Sequence, residues 1–241
     1  MKAIFKLSKK YGFKIIEDAS HAIGGEYLEN KVGNCLYSDI TIFSFHPVKI
    51  ITSAEGGMAL TNDEKLKVRM DLLRSHGVTR NEDLMAGTSH GPWYYQQISL
   101  GFNYRMSDLH AALGLSQMSR LDEFIFDRNR LADIYLSEFK ESKIILPSVK
   151  DSVKSSWHLF IIQVDKSIRK NVFESLRGCE IGVNVHYMPI YKQPYYSDKY
   201  PDIKCINAEK YYEQCISIPL YHGLSESDQQ HVIESVNRFT A

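Results

Sequence analysis

Two short runs hold the residue types from which chemistry can be built. One is Glu17-Asp18-Ala19-Ser20-His21-Ala22, and the other is Ser44-Phe45-His46-Pro47-Val48-Lys49. A lysine amine forms Schiff bases with carbonyl compounds. A carboxylate pair at the C-terminal end of an apolar strand lies where α/β sheets place their sites. Each run also has an ordinary reading. Lysine is most often a solvated loop residue, and the acidic pair can be a solvated strand end with a turn. In order along the chain, however, they read carboxylate, serine, lysine. That is the set pyridoxal phosphate requires. The lysine holds the aldehyde, the carboxylate keeps the pyridine nitrogen protonated, and the serine hydroxyl donates to the phosphate.

The elements that must position these residues follow from periodicity. Residues 1–10 read as the tail of an amphipathic helix with Ile4, Phe5 and Leu7 as its apolar groups and Gly12 as its cap, so the chain opens inside an element. Strands are expected at Phe13–Ile16, Ile40–Phe45 and Gly57–Thr61. In the second, Ile40, Ile42 and Ser44 face one way and Thr41, Phe43 and Phe45 the other. Pro47 has no N–H and cannot continue a central strand, which leaves Lys49 on a turn past the strand end. Glu55-Gly56-Gly57 permits a sharp turn and a close backbone approach. A helix begins near Asp63, with Leu66, Met70 and Leu73 on one face, and stops at Gly77. Residues 78–100 read as a long loop. Ser107 or Asp108 caps a second helix. Its apolar stripe runs Leu109, Ala112, Leu113, Met118 and Leu121, and the pattern continues through Tyr135 and Phe139. After Pro147 come an apolar strand at Trp157–Val164, a helix around 167–177, a strand around Gly182–His186, and a last helix capped by Ser225. The order suggests an α/β part and then a smaller α+β part.

Composition narrows the class. Of 241 residues, 44% are apolar and 24% charged, and 29 basic residues balance 29 acidic ones. That balance gives no reason to expect nucleic acid or an anionic membrane as a partner. No stretch approaches the ~20 apolar residues of a bilayer span. The four cysteines form no C-x-x-C pair, so zinc is a poor reading and a reducing cytoplasm the simplest.

The runs EDASHAIGG, SFHPVKIITSAEGG, GFNYRMSDLHAALGLSQMSRLD, SSWHLFIIQVD, GVNVHYMPIYKQPYY and ISIPLYHGLSESD resemble, in order, the DegT/DnrJ/EryC1/StrS family of nucleotide-sugar aminotransferases. The resemblance implies a type I pyridoxal-phosphate transferase fold. Residues 1–125 would be the C-terminal part of an incomplete large domain, and residues 126–241 a small C-terminal domain. It implies that Lys49 is the aldimine lysine and proton shuttle. Asp18 would pair with the pyridine nitrogen, Ser44 would bind the phosphate, and His21 would lie beside the cofactor. Asn103 would reach a partner's cofactor phosphate across a homodimer interface, and His186 and Tyr187 would approach the nucleotide sugar. The ordinary readings are a turn residue for Asn103 and a satisfied strand histidine for His186. Lysine rather than histidine at position 49 favours transamination, with glutamate as donor and a nucleotide-linked 4-keto-6-deoxy sugar as acceptor. The wording is closest to UDP-sugar aminotransferases of pseudaminic-acid-type sugar synthesis. Family members carry well over a hundred residues before the EDASHA segment, including a glycine-threonine phosphate turn. The chain therefore reads as N-terminally truncated. Three readings stay open: one product of a split gene with a complementing N-terminal chain, a start assigned too far downstream, or a degenerate, inactive fragment serving at most as an interaction module.

Overall fold

The computed structural model describes residues 1–241 and divides into two compact units, Met1–Leu121 and Asp122–Ala241. In chain order the first holds α1 (Lys2–Tyr11), β1 (Ile16–Asp18), a hairpin of β2 (Glu26–Tyr27) and β3 (Asn30–Lys31), β4 (Ile40–Ser44), β5 (Gly57–Leu60), α2 (Glu64–Arg74), β6 (Val78–Thr79), β7 (Gln96–Gln97) and α3 (Asp108–Met118). Its sheet has the order β1-β4-β5, with β1 parallel and β5 antiparallel to β4. The alternation in β4 decides its faces. Thr41 and Phe43 in the strand, and Phe45 just beyond it, are buried, while Ile42 on the other face is exposed.

The helix ends follow their caps. Gly12 takes φ 75°, and its N–H donates to the Ser8 carbonyl at 2.7 Å. The Asp63 carboxylate accepts from the Lys65 and Leu66 N–H groups, and Ser107 rather than Asp108 caps α3.

The second unit takes nearly all of α4 (Leu121–Glu138), then β8 (Val153–Lys154), β9 (Phe160–Gln163), α5 (Arg169–Gly178), α6 (Pro194–Ser197), α7 (Ile206–Gln214), β10 (Cys215–Ile218) and α8 (Glu226–Thr240). Antiparallel β9 and β10 lie in a continuous core with Leu131, Tyr135, Leu176 and Val236, all fully buried. Burial of each such side chain contributes roughly 1.5–3 kcal/mol. The buried Arg128 donates to the carbonyls of Trp157 at 3.0 Å and Leu220 at 2.9 Å, and burial pushes its guanidinium down to about 10. The Tyr135 hydroxyl donates to the Pro219 carbonyl at 2.9 Å. His222 lies between Asp127, at 2.6 Å, and Glu123, at 3.5 Å. No helix is long and apolar enough to cross a membrane.

Several elements depart from the pattern reading. The first strand is Ile16–Asp18 rather than Phe13–Ile16, because pairing with β4 starts only at Ile16. The expected long helix breaks at Ser119-Arg120, where Arg120 N–H turns back to the Gln117 carbonyl and Ser119 Oγ to the Ser116 carbonyl. Residues 78–100 are not wholly loop, since β6 pairs antiparallel with β7. The strand expected from Trp157 starts at Phe160, because Trp157 sits at φ 46° and its carbonyl is taken by Arg128. The strand expected at 182–186 is a single bridge from Asn184 to Ser217.

Candidate active site

The parallel pairing of β1 with β4 places both C-terminal strand ends at one edge of the sheet. Asp18 is in register with Ile42, so Ser44 lies two residues further on, ~6–7 Å along the strand. Asp18 Oδ1 accepts the Ser20 N–H at 3.0 Å and the Ser20 hydroxyl at 2.5 Å. These two bonds hold the Asp18 carboxyl below its usual range. Burial opposes them weakly, and the positive charges of His21 and Lys49 assist. Ser44 is half-buried, and its hydroxyl makes no hydrogen bond within the protein.

Lys49 ends a tight turn. Its N–H donates to the His46 carbonyl at 2.9 Å, with Pro47 and Val48 between. Ile50 and Ile51, 5% and 2% exposed, anchor the chain directly after it. The base of the loop is drawn closed on one carbonyl: Ser53 N–H and the Thr52 hydroxyl both donate to Phe45 O, at 3.0 and 3.1 Å. Phe45 N–H donates to Gly56 O at 2.8 Å. A Cβ on Gly57 would stand 2.7 Å from the Phe43 carbonyl, and one on Gly56 would collide with the Met106 methyl and the Ser53 hydroxyl. The two glycines are thus what lets β5 return beside β4. Lys49 Nζ makes no ion pair or hydrogen bond, yet its charge is felt by Asp18.

Asp18, His21, Ser44 and Lys49 therefore belong to one sheet edge and its following turns. Asn103 is exposed and bridges to Ser75, flanked by Phe102 N–H to Leu73 O at 2.7 Å and Tyr104 N–H to Arg74 O at 3.0 Å. Its side-chain amide has no partner in the chain. Met106, three residues on, is the side chain that meets Gly56 beside the lysine turn. His186 and Tyr187 lie in the second unit. His186 Nδ1 is 2.6 Å from Ser217 Oγ, burial lowers the pKa of the ring, and exposed Tyr187 packs edge-on at 4.5 Å.

The residue pattern did not reveal Ser20, Thr52 or Ser217. Ser20 was legible in principle, as a hydroxyl two residues past an aspartate is the signature of an Asx turn. Ser217 lies inside an apolar strand, and nothing local marks it.

The sequence profile of the DegT/DnrJ/EryC1/StrS aminotransferase family matches residues 1–237. The chain belongs to that family. It is 37% identical over 240 residues to a UDP-4-amino-4,6-dideoxy-N-acetyl-beta-L-altrosamine transaminase of Campylobacter jejuni, covering 98% of this chain and 61% of that one. It is 35% identical to the spore coat polysaccharide biosynthesis protein SpsC of Bacillus subtilis, covering 98% and 62%. Among solved structures, Helicobacter pylori PseC, an aminotransferase of pseudoaminic acid biosynthesis, superposes with a TM-score of 0.90 at 33% identity, over 99% of this chain and 62% of that one. Streptococcus pneumoniae Spr1654 in its PLP form matches with a TM-score of 0.83 at 29% identity, over 97% and 59%. The chain thus spans about three-fifths of the length of these relatives. The fold is the type I fold of pyridoxal-phosphate-dependent transferases, and pyridoxal phosphate is the family's cofactor.

Proposed function

We propose that this chain provides the lysine-bearing part of a pyridoxal-phosphate-dependent transaminase. The acceptor is a nucleotide-linked 4-keto-6-deoxy sugar, the amino donor is glutamate, and the product enters surface polysaccharide or glycan synthesis. Residues 1–125 supply the cofactor-binding part and residues 126–241 the smaller domain. The observation that carries this reading is the pairing of an unbonded lysine amine with an aspartate held ionised at the same sheet edge. The similarity to UDP-sugar transaminases supports the substrate class.

The residues present fit the cofactor. Asp18, kept as a carboxylate by Ser20, is the acceptor a ring N–H needs. Ser44 has a hydroxyl free to donate to a phosphate oxygen, and His21 stands three residues past Asp18. When bound, pyridoxal phosphate supplies an electron sink. The chain's own contribution is to hold and move protons. Lys49 Nζ takes up and returns a proton at the reacting carbon. Its turn, closed on Phe45 O by Thr52 and Ser53, fixes where that proton is delivered. Asn103 serves a second copy in a homodimer, a reading supported by its exposure and its unbonded side chain. His186 and Tyr187 contact the nucleotide sugar.

The test is spectroscopic. Adding pyridoxal phosphate to the 241-residue chain, with the remaining family segment supplied in trans, should produce a visible absorbance band. Borohydride should fix the adduct on the peptide containing Lys49. In Lys49→Ala both signals should vanish. A wild-type chain that stays colourless and unlabelled at millimolar cofactor would refute the proposal.

A further inference from the structure

Ser217 is the feature of the second unit that the proposed reaction leaves unused. It sits in β10 opposite Ile161 of β9 and is 5% exposed. Its backbone is tied to Asn184 in both directions, Ser217 N–H to Asn184 O at 2.8 Å and Asn184 N–H to Ser217 O at 3.2 Å. Directly after β10, the Pro219 and Leu220 carbonyls accept from Tyr135 and Arg128 of α4, each at 2.9 Å. The strand is therefore pinned at Ser217 and just past it, and the hydroxyl lies 2.6 Å from His186 Nδ1.

One proton must lie between these two atoms, and its owner can be decided. Ser217 Oγ makes no other hydrogen bond. If Nδ1–H were the donor, the serine hydroxyl proton would be left in a buried site with no acceptor. If the hydroxyl donates, every buried proton is used and only a lone pair is idle. The second arrangement avoids the cost of about 1–3 kcal/mol for an unmet buried polar group. Burial also favours the neutral imidazole. A neutral ring whose Nδ1 accepts must carry its proton on Nε2. Nε2 makes no bond within the chain and is not sealed from solvent.

We propose that Ser217 is a positioning residue that fixes His186 as the Nε2-protonated tautomer, so that His186 presents an N–H donor to a phosphoryl, hydroxyl or carbonyl oxygen of the substrate. This rests on the reading of His186 as a substrate-contacting residue. The device selects ligands by hydrogen-bonding role: an oxygen acceptor is favoured, and an ammonium, which can only donate, is disfavoured. It also explains why β10 is strapped to α4 just past Ser217, since a shift of one residue would turn the hydroxyl to the other face.

The experiment uses the full chain labelled with 15N-histidine and long-range 1H–15N correlation. His186 is identified among the nine histidines by its loss in His186→Gln. The expected wild-type pattern is an unprotonated Nδ1 and a protonated Nε2, preserved in Ser217→Thr and replaced by a tautomer mixture in Ser217→Ala. Should Ser217→Ala fail to fold, the wild-type and threonine spectra decide. A protonated Nδ1 in the wild type, or an unchanged tautomer in folded Ser217→Ala, overturns the inference. UDP-N-acetylglucosamine then serves as probe. A shift of the Nε2 resonance at saturation is expected, and an unmoved resonance with bound probe overturns the donor role. If the probe does not bind at all, the nucleotide-sugar reading fails, while the tautomer pattern still stands or falls on the wild-type spectrum.

Discussion

The two units differ in how far they close over their apolar residues. Asp122–Ala241 closes around a continuous apolar core, in which Tyr135, Phe160 and Ile216 are wholly buried. In Met1–Leu121, neither α2 nor α3 buries a single residue, and Leu109 is 84% exposed, Leu115 75% and Ile16 63%. Order there rests on a smaller buried patch, with Phe43, Phe45, Ile50 and Ile51, and on backbone geometry: two strand ends in register, a turn drawn closed on one carbonyl, and glycines where a side chain cannot fit. Asp18, Ser44 and Lys49 sit in this second kind of structure. A site can thus keep its internal geometry through backbone hydrogen bonds while faces around it are open. β1 and β5 are the edge strands of this sheet, each with one hydrogen-bonding side unpaired by another strand.

The largest effects should fall on the closed core. Phe160→Ala should cost about 3–5 kcal/mol in chemical denaturation. Leu109→Ala, on the open face of α3, should stay within about 0.5 kcal/mol. If Leu109→Ala costs as much as Phe160→Ala, that face is covered in solution and the contrast between the units collapses. Native-state hydrogen exchange offers a second check, with β9, β10 and α8 protected well beyond α2 and α3.

A middle-sized effect tests whether the lysine turn is rigid by construction. Gly57→Ala puts a Cβ 2.7 Å from the Phe43 carbonyl, so β5 must move off β4. The expected loss is about 1–3 kcal/mol, together with weakened cofactor uptake at Lys49. An alanine variant with unaltered stability and uptake would mean that the close approach of β4 and β5 is not needed to aim the lysine.

What could be read from the sequence follows the same division. That Ser44 ends a strand and Lys49 follows on a turn was legible, because a strand end and a proline are local, while the strand carrying Asp18 was placed three residues early. The caps at Gly12, Asp63 and Ser225 were legible as well. The break between α3 and α4 was not, since Ser119 and Arg120 fit a helix and the break is made by bonds to Ser116 and Gln117. The pairing of β6 with β7 joins two-residue strands sixteen residues apart, too short for any period to register. Phe160 as the true start of β9 depends on Arg128, far away in sequence, capturing the Trp157 carbonyl. His186 was picked out, but Ser217, which gives its ring a direction, belongs to a strand whose pairing is tertiary.

The smallest expected effect concerns Asp18, and it separates local from distant causes. Its carboxyl is held below the ordinary value of 3.8 first by the Ser20 hydroxyl, then by the Ser20 N–H, with the charges of His21 and Lys49 contributing less. A carboxyl whose folded pKa lies below its unfolded one contributes stability above the unfolded value. That contribution fades as pH falls through the folded pKa. Asp18 is largely open to solvent, so the contribution is small and is better read by carboxyl 13C titration than by melting. Ser20→Ala should move the Asp18 midpoint upward, and Lys49→Ala should move it upward by less. The reverse order would mean that charge, rather than the turn at Ser20, keeps Asp18 ionised. The first unit would then depend on its cation for the state of its carboxylate, and replacing Lys49 would alter Asp18 as well as remove the amine.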